Sequence, residues 1–202
     1  MITKDLGLVE YEPVVNKMRE FTLGRQADTE DEVWLLEHQP VFTQGANGDP
    51  SHLINPHHIP VVNTDRGGQV TYHGPGQLVA YTLIDLRRIK SGVRQMVSCL
   101  EKTIIAMLAE FDIDAHARQD APGVYVGESK IASLGLRVKR GACYHGVSFN
   151  IDMDLTPFSY INPCGQAGMQ VIDLTSLGIK RDMAEAKQLF VAVFQQQMQT
   201  GK

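Results

Sequence analysis

One segment limits the possible folds more than any other. In RQMVSCLEKTIIAMLAEF (94–111), Val97, Leu100, Ile104, Met107, Leu108 and Phe111 recur at the spacing of one helix face. So continuous an apolar stripe must be buried against another layer, and the partners on either side are strands. QLVAYTLIDL (77–86) is apolar and rich in β-formers, so it reads as a mostly buried strand. GVYVG, KIASLGLRV and CYHGVSFNID give three more, separated by glycines and charged turns. EVWLLEH (32–38) and PVVNTD (60–65) add shorter strand candidates. A first helix is expected over 13–27, with Val14, Met18, Phe21 and Arg25 on one face. A last helix opens at Asp182, with Glu185 three residues on as in a capping box, and carries Met183, Ala186, Phe190, Val193 and Phe194. The order helix, strands, helix, strands, helix predicts an α+β class. It implies a single domain over 1–202, with a mixed or antiparallel sheet and helices packed on it. The polar stretch TQGANGDPSHLINPHHIP (43–60) is expected to be a long loop of weak order.

Composition narrows the function classes. An apolar share of 43% and a charged share of 21% are those of an ordinary globular domain. A formal net charge of −4 leaves no basic face for nucleic acid. No run approaches the roughly 20 apolar residues of a membrane span, and MITKDLGLVEYEP has no signal-peptide core. The expectation is a cytoplasmic protein that binds neither nucleic acid nor membrane. Three cysteines, Cys99, Cys143 and Cys164, are too few for a disulfide framework and show no C-x-x-C spacing, so each is judged by its surroundings.

Three stretches carry chemistry. RGGQVTYHGPGQLV (66–79) sets Gly67, Gly68, Gly74 and Gly76 between two strand candidates, with Arg66, Tyr72 and His73 as polar tips. Glycines let backbone amides approach a ligand, although the spacing is neither a Walker A nor a dinucleotide fingerprint. In ESKIASLGLRV, Lys130 lies in a strand; it is either a surface lysine or one turned into a desolvated pocket where it can serve as a base. Third come YHGVSFNIDMD, with His145 and Asn150, and FSYINPCG. The latter places Cys164 in a loop preset by Pro163 and relaxed by Gly165. A thiol in a polar, accessible loop becomes a nucleophile when a cation or base lowers its pKa. Cys99 and Cys143 read as core residues, and His57 and His58 as solvated. These residues alone give a thiol nucleophile near a glycine-rich ligand loop. They leave Lys130, His145 and His73 as alternative bases.

Taken together, RGGQVTYHGPGQLV, KIASLGLRV, HGVSFNIDMDL and INPCG resemble the lipoyl(octanoyl) transferase family in order and separation, over roughly residues 30–180. The resemblance implies the fold of biotin and lipoate protein ligases, a mixed, mostly antiparallel sheet flanked by helices. It implies transfer of an octanoyl group from octanoyl-acyl carrier protein to a lysine amine, without cofactor or metal. The acceptors it implies are lipoyl domains of 2-oxoacid dehydrogenase E2 subunits and the glycine cleavage H protein. By the same resemblance Cys164 is the thioester nucleophile and Lys130 its partner. Substrate contacts fall on Arg66, Gly67, Gly68, Gln69, Val70, Thr71, Tyr72 and His73, on Ser133, Leu134 and Gly135, and on Gly146, Val147 and Ser148. The rival of the same fold is an ATP-dependent lipoate or biotin ligase, which has no need of Cys164. RVKR (137–140) and RRIK (87–90) are either solvated strand ends or a surface that steers acidic partners.

Overall fold

The computed structural model describes residues 1–200 apart from Ala167, with Cys164 described by its backbone. The chain runs β1 (Ile2–Val9), α1 (Tyr11–Gly24), β2 (Glu32–His38), β3 (Val41–Gln44), β4 (Val61–Asn63), β5 (Val70–His73) and β6 (Gln77–Asp85). It continues through α2 (Val93–Ala109), β7 (His116–Ala117), β8 (Gly123–Val126), β9 (Ser129–Lys139), β10 (Ala142–Asn150) and α3 (Met183–Thr200). Short 3-10 turns lie at Pro50–His52, Thr156–Tyr160, Pro163–Gly165 and Thr175–Leu177.

Seven strands form one sheet in the order β1-β2-β6-β10-β9-β8-β7, and β4-β3-β5 form a second, small one. In the large sheet only β1 and β2 pair parallel among the described residues; the remaining neighbours are antiparallel. The expected α+β class with a mixed, mostly antiparallel sheet is what the chain adopts. The central strands β6 and β10 are buried along their whole length, and the period-two alternation of strand side chains shows directly in the packing. Leu78, Ala80 and Ile84 enter the core beneath α2 and α3, while Val79, Tyr81 and Leu83 enter the one beneath α1. On α2 the expected stripe is buried at Leu100, Ile104, Met107 and Leu108, joined by Met96. Each fully buried Leu, Ile or Met side chain contributes about 1.5–3 kcal/mol. A third core, with Phe42, Tyr72, Phe158 and Ile161, fills the small sheet. Among the described residues no helix is long and apolar enough to cross a membrane.

Four expectations change. The first helix covers 11–24 rather than 13–27, so Arg25 follows it and bonds Asp31 and the Leu83 carbonyl. β1 was not anticipated, because a bulge between Asp5 and Gly7 breaks its alternation. The glycine-rich stretch does not merely join two strands: it contains one itself, β5, which pairs with β3. The 43–60 stretch is organised rather than weakly ordered. It begins within β3 and folds back so that Ile54 and Asn55 N–H donate to the Tyr160 carbonyl and Leu53 bridges Ile161. At the last helix, the Asp182 carboxylate accepts from the Glu185 N–H at 2.7 Å, as a cap should.

Candidate active site

The loop between β4 and β5 is held by its own arginine. Buried Arg66 donates to the Thr43 carbonyl (2.6 Å), the Thr43 hydroxyl (2.8 Å) and the carbonyls of Gly67 and Gln69 (both 2.9 Å). Its guanidinium thus braces the loop. The Gly67 N–H donates to the Leu136 carbonyl at 3.0 Å, laying the loop across β9 on the α1 side of the large sheet. Only glycine allows this crossing, since a Cβ on Gly135 would stand 2.9 Å from the Gly67 carbonyl oxygen.

Between this loop and the sheet lies a cleft with about 500 Å³ of unfilled space, part of it open to solvent. One wall is Arg66, Gly68, Gln69, Val70, Thr71 and His73; the other is Ser133, Leu134 and Gly135 with Gly146, Val147 and Ser148. The structure therefore brings most of the expected contact residues around one space. Two stand apart. Gly67 forms the loop's spine, and Tyr72 turns away by strand alternation, its ring 5.5 Å from Phe42 and 5.6 Å from Phe158. Sequence reasoning missed Tyr11, Val79 and Tyr81, which also line the cleft. The last two belong to the α1-facing set of β6, which strand alternation gives without marking them as cleft residues.

The cleft wall is mostly apolar, and the histidines in and behind it are pushed toward the neutral form by burial. His38 Nδ1 donates to the Val9 carbonyl, so Nε2 accepts from the Tyr81 hydroxyl at 2.7 Å. Burial pushes this imidazole down to about 4. His73 Nδ1 donates to Gln77 Oε1 at 2.7 Å, because the Gln77 amide nitrogen is committed to the Asn150 side chain. Burial holds His73 well below its ordinary value. His145 sits in left-handed backbone (φ 61°), and its ring stacks on that of its neighbour Tyr144. Both side chains meet Asp65: His145 Nε2 at 3.0 Å and the Tyr144 hydroxyl at 2.5 Å. Burial, opposed by Asp65, lowers the His145 pKa. Although burial acts to raise it, Asp65 is held well below the carboxylate range by hydrogen bonds from His145, Tyr144 and Arg19.

Lys130 is 1% exposed. Its Nζ donates to the Pro122 carbonyl at 3.3 Å and lies 5.1 Å from the centre of the Tyr125 ring. A Cβ on Gly123 would come within 2.9 Å of its Cε, so that glycine keeps the space for the ammonium end. The backbone of Lys130 is stitched to the segment after Cys164: its N–H donates to the Gln170 carbonyl (2.9 Å), and its carbonyl accepts from Ile172 (3.0 Å). Cys164 occupies the turn Pro163–Gly165, and its side chain lies outside the described residues. A Cβ on Gly165 would be 3.6 Å from Gln69 Cγ, which places the turn at the Gln69 end of the cleft.

The three alternative bases lie in different surroundings. His145 pairs in register with Leu136, six residues along β9 from Lys130, or about 20 Å at 3.3 Å per residue. His73 is enclosed and committed to Gln77. Lys130 is the one whose backbone pairs with the segment that follows the Cys164 turn. Cys143 is fully buried and Cys99 packs against the main core; burial pushes each thiol up to about 11, so both stay protonated as core cysteines should. His57 and His58 are exposed. The two basic runs lie side by side at the far end of the sheet, where the Arg87 side chain covers Gly141. Arg87 pairs with Asp85, and Arg88 with Asp31.

Comparison with known proteins finds relatives of this chain and of its fold. Residues 14–195 match the family model of the lipoyl protein ligase A/B catalytic domain. An octanoyltransferase of Chromobacterium violaceum is 54% identical over 201 residues, covering 100% of this chain and 97% of that protein. A solved bipartite lipoate protein ligase from Thermoplasma acidophilum has a TM-score of 0.69 at 15% identity, covering 95% of this chain and 83% of its own. A biotin protein ligase from Aquifex aeolicus gives 0.60 at 11% identity, covering 99% and 70%. At those identities the likeness is one of fold.

Proposed function

Because the chain belongs to the lipoyl protein ligase A/B catalytic-domain family and is similar over its whole length to an octanoyltransferase, we propose that it moves an octanoyl group onto lipoyl domains through a thioester on Cys164, with Lys130 as the partner of that sulfur. The donor is octanoyl-acyl carrier protein. The acceptors are lysines of the E2 lipoyl domains and of the glycine cleavage H protein. The whole chain serves as one catalytic domain, and the two half-reactions need no cofactor.

The observation that carries this reading is the backbone pairing of Lys130 with Gln170 and Ile172, which ties the lysine's strand to the strip of chain leaving the Cys164 turn. The chemistry follows from the layout. A thioester is already activated, so exchange requires a thiolate and then a neutral amine. Lys130, desolvated against Tyr125, supplies a cation for the thiolate and a site for its proton. The acyl chain leaves the sulfur past Gln69 and lies along β9, where Ser133 is three residues, about 10 Å, from Lys130. The N–H groups of Gly165 and Gln166 are spent closing the turn, on Asn162 and Pro163. The N–H groups of Gly68 and Gln69, at the same end of the cleft, are therefore assigned to the tetrahedral oxyanion. Loss of one such donor typically costs about 3–4 kcal/mol in the transition state.

Intact mass after mixing with octanoyl-acyl carrier protein tests the assignment. Without ATP, the wild type gains one octanoyl group, Cys164→Ser gains none, and Lys130→Arg retains charge but loses most turnover because arginine cannot act as a base. An adduct on Cys99 or Cys143, or a requirement for ATP, overturns it. Near-normal turnover of Lys130→Arg reduces the lysine to an electrostatic partner.

A further inference from the structure

His52 belongs to the polar stretch that the sequence leaves without a role, yet the fold fastens it on both sides of Cys164. Its carbonyl accepts from the Asn162 N–H at 2.8 Å, two residues before the cysteine. Its imidazole Nε2 lies 3.0 Å from where a Cβ on Gly165 would stand, one residue after it. Gly165 has φ 75°, so the turn both requires glycine there and leaves room for the ring. The neighbouring residues fix the approach. Leu53 bridges Ile161, and the Asp49 N–H donates to Gln69 Oε1 at 2.8 Å, tying this segment to the cleft wall. His52 is half-buried, in reach of both the turn and solvent.

We propose that His52 carries the proton released in the second half-reaction from the nucleophile turn to solvent. The inference rests on the octanoyl-transfer reading and follows from its proton balance. In the first half-reaction one C–S bond forms and another breaks. The Cys164 thiol gives up a proton and the carrier thiolate takes one, so none is left over. In the second, a C–N bond forms and the Cys164 C–S bond breaks. The acceptor ammonium loses two protons, of which one returns to the Cys164 sulfur and one must leave. Lys130, enclosed at 1% exposure, serves the sulfur. An imidazole at the rim, in reach of both the turn and solvent, is suited to the other, since histidine serves as a proton shuttle.

Rapid-quench measurement of the two half-reactions tests this. Wild-type protein is first charged with octanoyl-acyl carrier protein and the adduct verified by mass; if no adduct forms, the transferase reading itself fails. With adduct in hand, His52→Gln should acylate within about twofold of wild type. Its transfer to a lipoyl domain should slow about 100-fold, in the range of general acid–base effects, with an altered pH dependence of that step alone. Imidazole in solution should restore transfer in His52→Ala. Unchanged transfer in His52→Gln overturns the proposal. So does an equal loss in both half-reactions without rescue, which would mark His52 as a brace for the turn.

Discussion

Gly146→Ala probes how closely the cleft's floor is built. An ideal Cβ on Gly146 would lie 1.9 Å from the Ala80 carbonyl oxygen and 3.0 Å from its carbon. Ordinary contact begins near 3.4 Å, so β6 and β10 would have to part by about 1.5 Å. Both are central, fully buried strands, and the obstructing atoms are backbone, so no side chain can yield. Overpacking costs about 1–3 kcal/mol, and two weakened ladder bonds add about 0.5–1.5 kcal/mol each. The restricted unfolded chain returns about 0.4–1 kcal/mol. The expected destabilisation is about 2–5 kcal/mol, or on the order of 5–15 °C in Tm for a chain of this size. Thermal unfolding followed by circular dichroism, with acyl-adduct formation measured alongside, reads both consequences. Gly24→Ala, whose Cβ would meet nothing within 4 Å, is the control and should stay near the wild-type Tm. A Gly146→Ala protein melting within 2 °C of wild type (roughly 1 kcal/mol or less) would refute the reasoning.

Two further outcomes follow. The folded-state pKa of Asp65 is depressed, so its contribution to stability is fully present above the unfolded carboxylate value and is lost as pH falls through the folded one. Wild type should therefore exceed Asp65→Asn in Tm at pH 7, with the gap narrowing below about pH 4; a gap that widens in acid would contradict this. Charge reversal at Lys139 and Arg140 should leave transfer kinetics and their salt dependence unchanged. These residues lie nine or more positions along from Lys130, about 30 Å at the rise of a strand, and slowed transfer at low salt would show that partners are steered from that end.

The elements that could be read in advance are those whose periodicity is uninterrupted. The stripe on α2, the alternation of β6 and the cap of α3 each reflect a repeated local rule that tertiary packing reinforces. β1 escaped because its bulge at Asp5–Gly7 shifts the register, and its parallel partner is distant in sequence. β5 was hidden because its four residues lie between glycines, and it is recognisable only beside β3. In the cleft, the glycine-flanked residues announced themselves through composition. Tyr11, Tyr81 and His52 did not, because nothing local distinguishes them from a core aromatic or a solvated loop histidine. What sets them apart is the company they keep: His38 for Tyr81, and Asn162 and Gly165 for His52.

The buried histidines in and behind the cleft set its wall apart from its rim. His38, His73 and His145 all have lowered pKa values, and the first lies near 4. His73 and His145 line the cleft with His38 behind them, and in each burial favours the neutral ring beside a mostly apolar surface. The buried side of the cleft thus favours an uncharged occupant, whereas half-buried His52 stands where solvent reaches it. In such a layout, residues at the rim can be exchanged without disturbing the buried wall that faces the acyl chain.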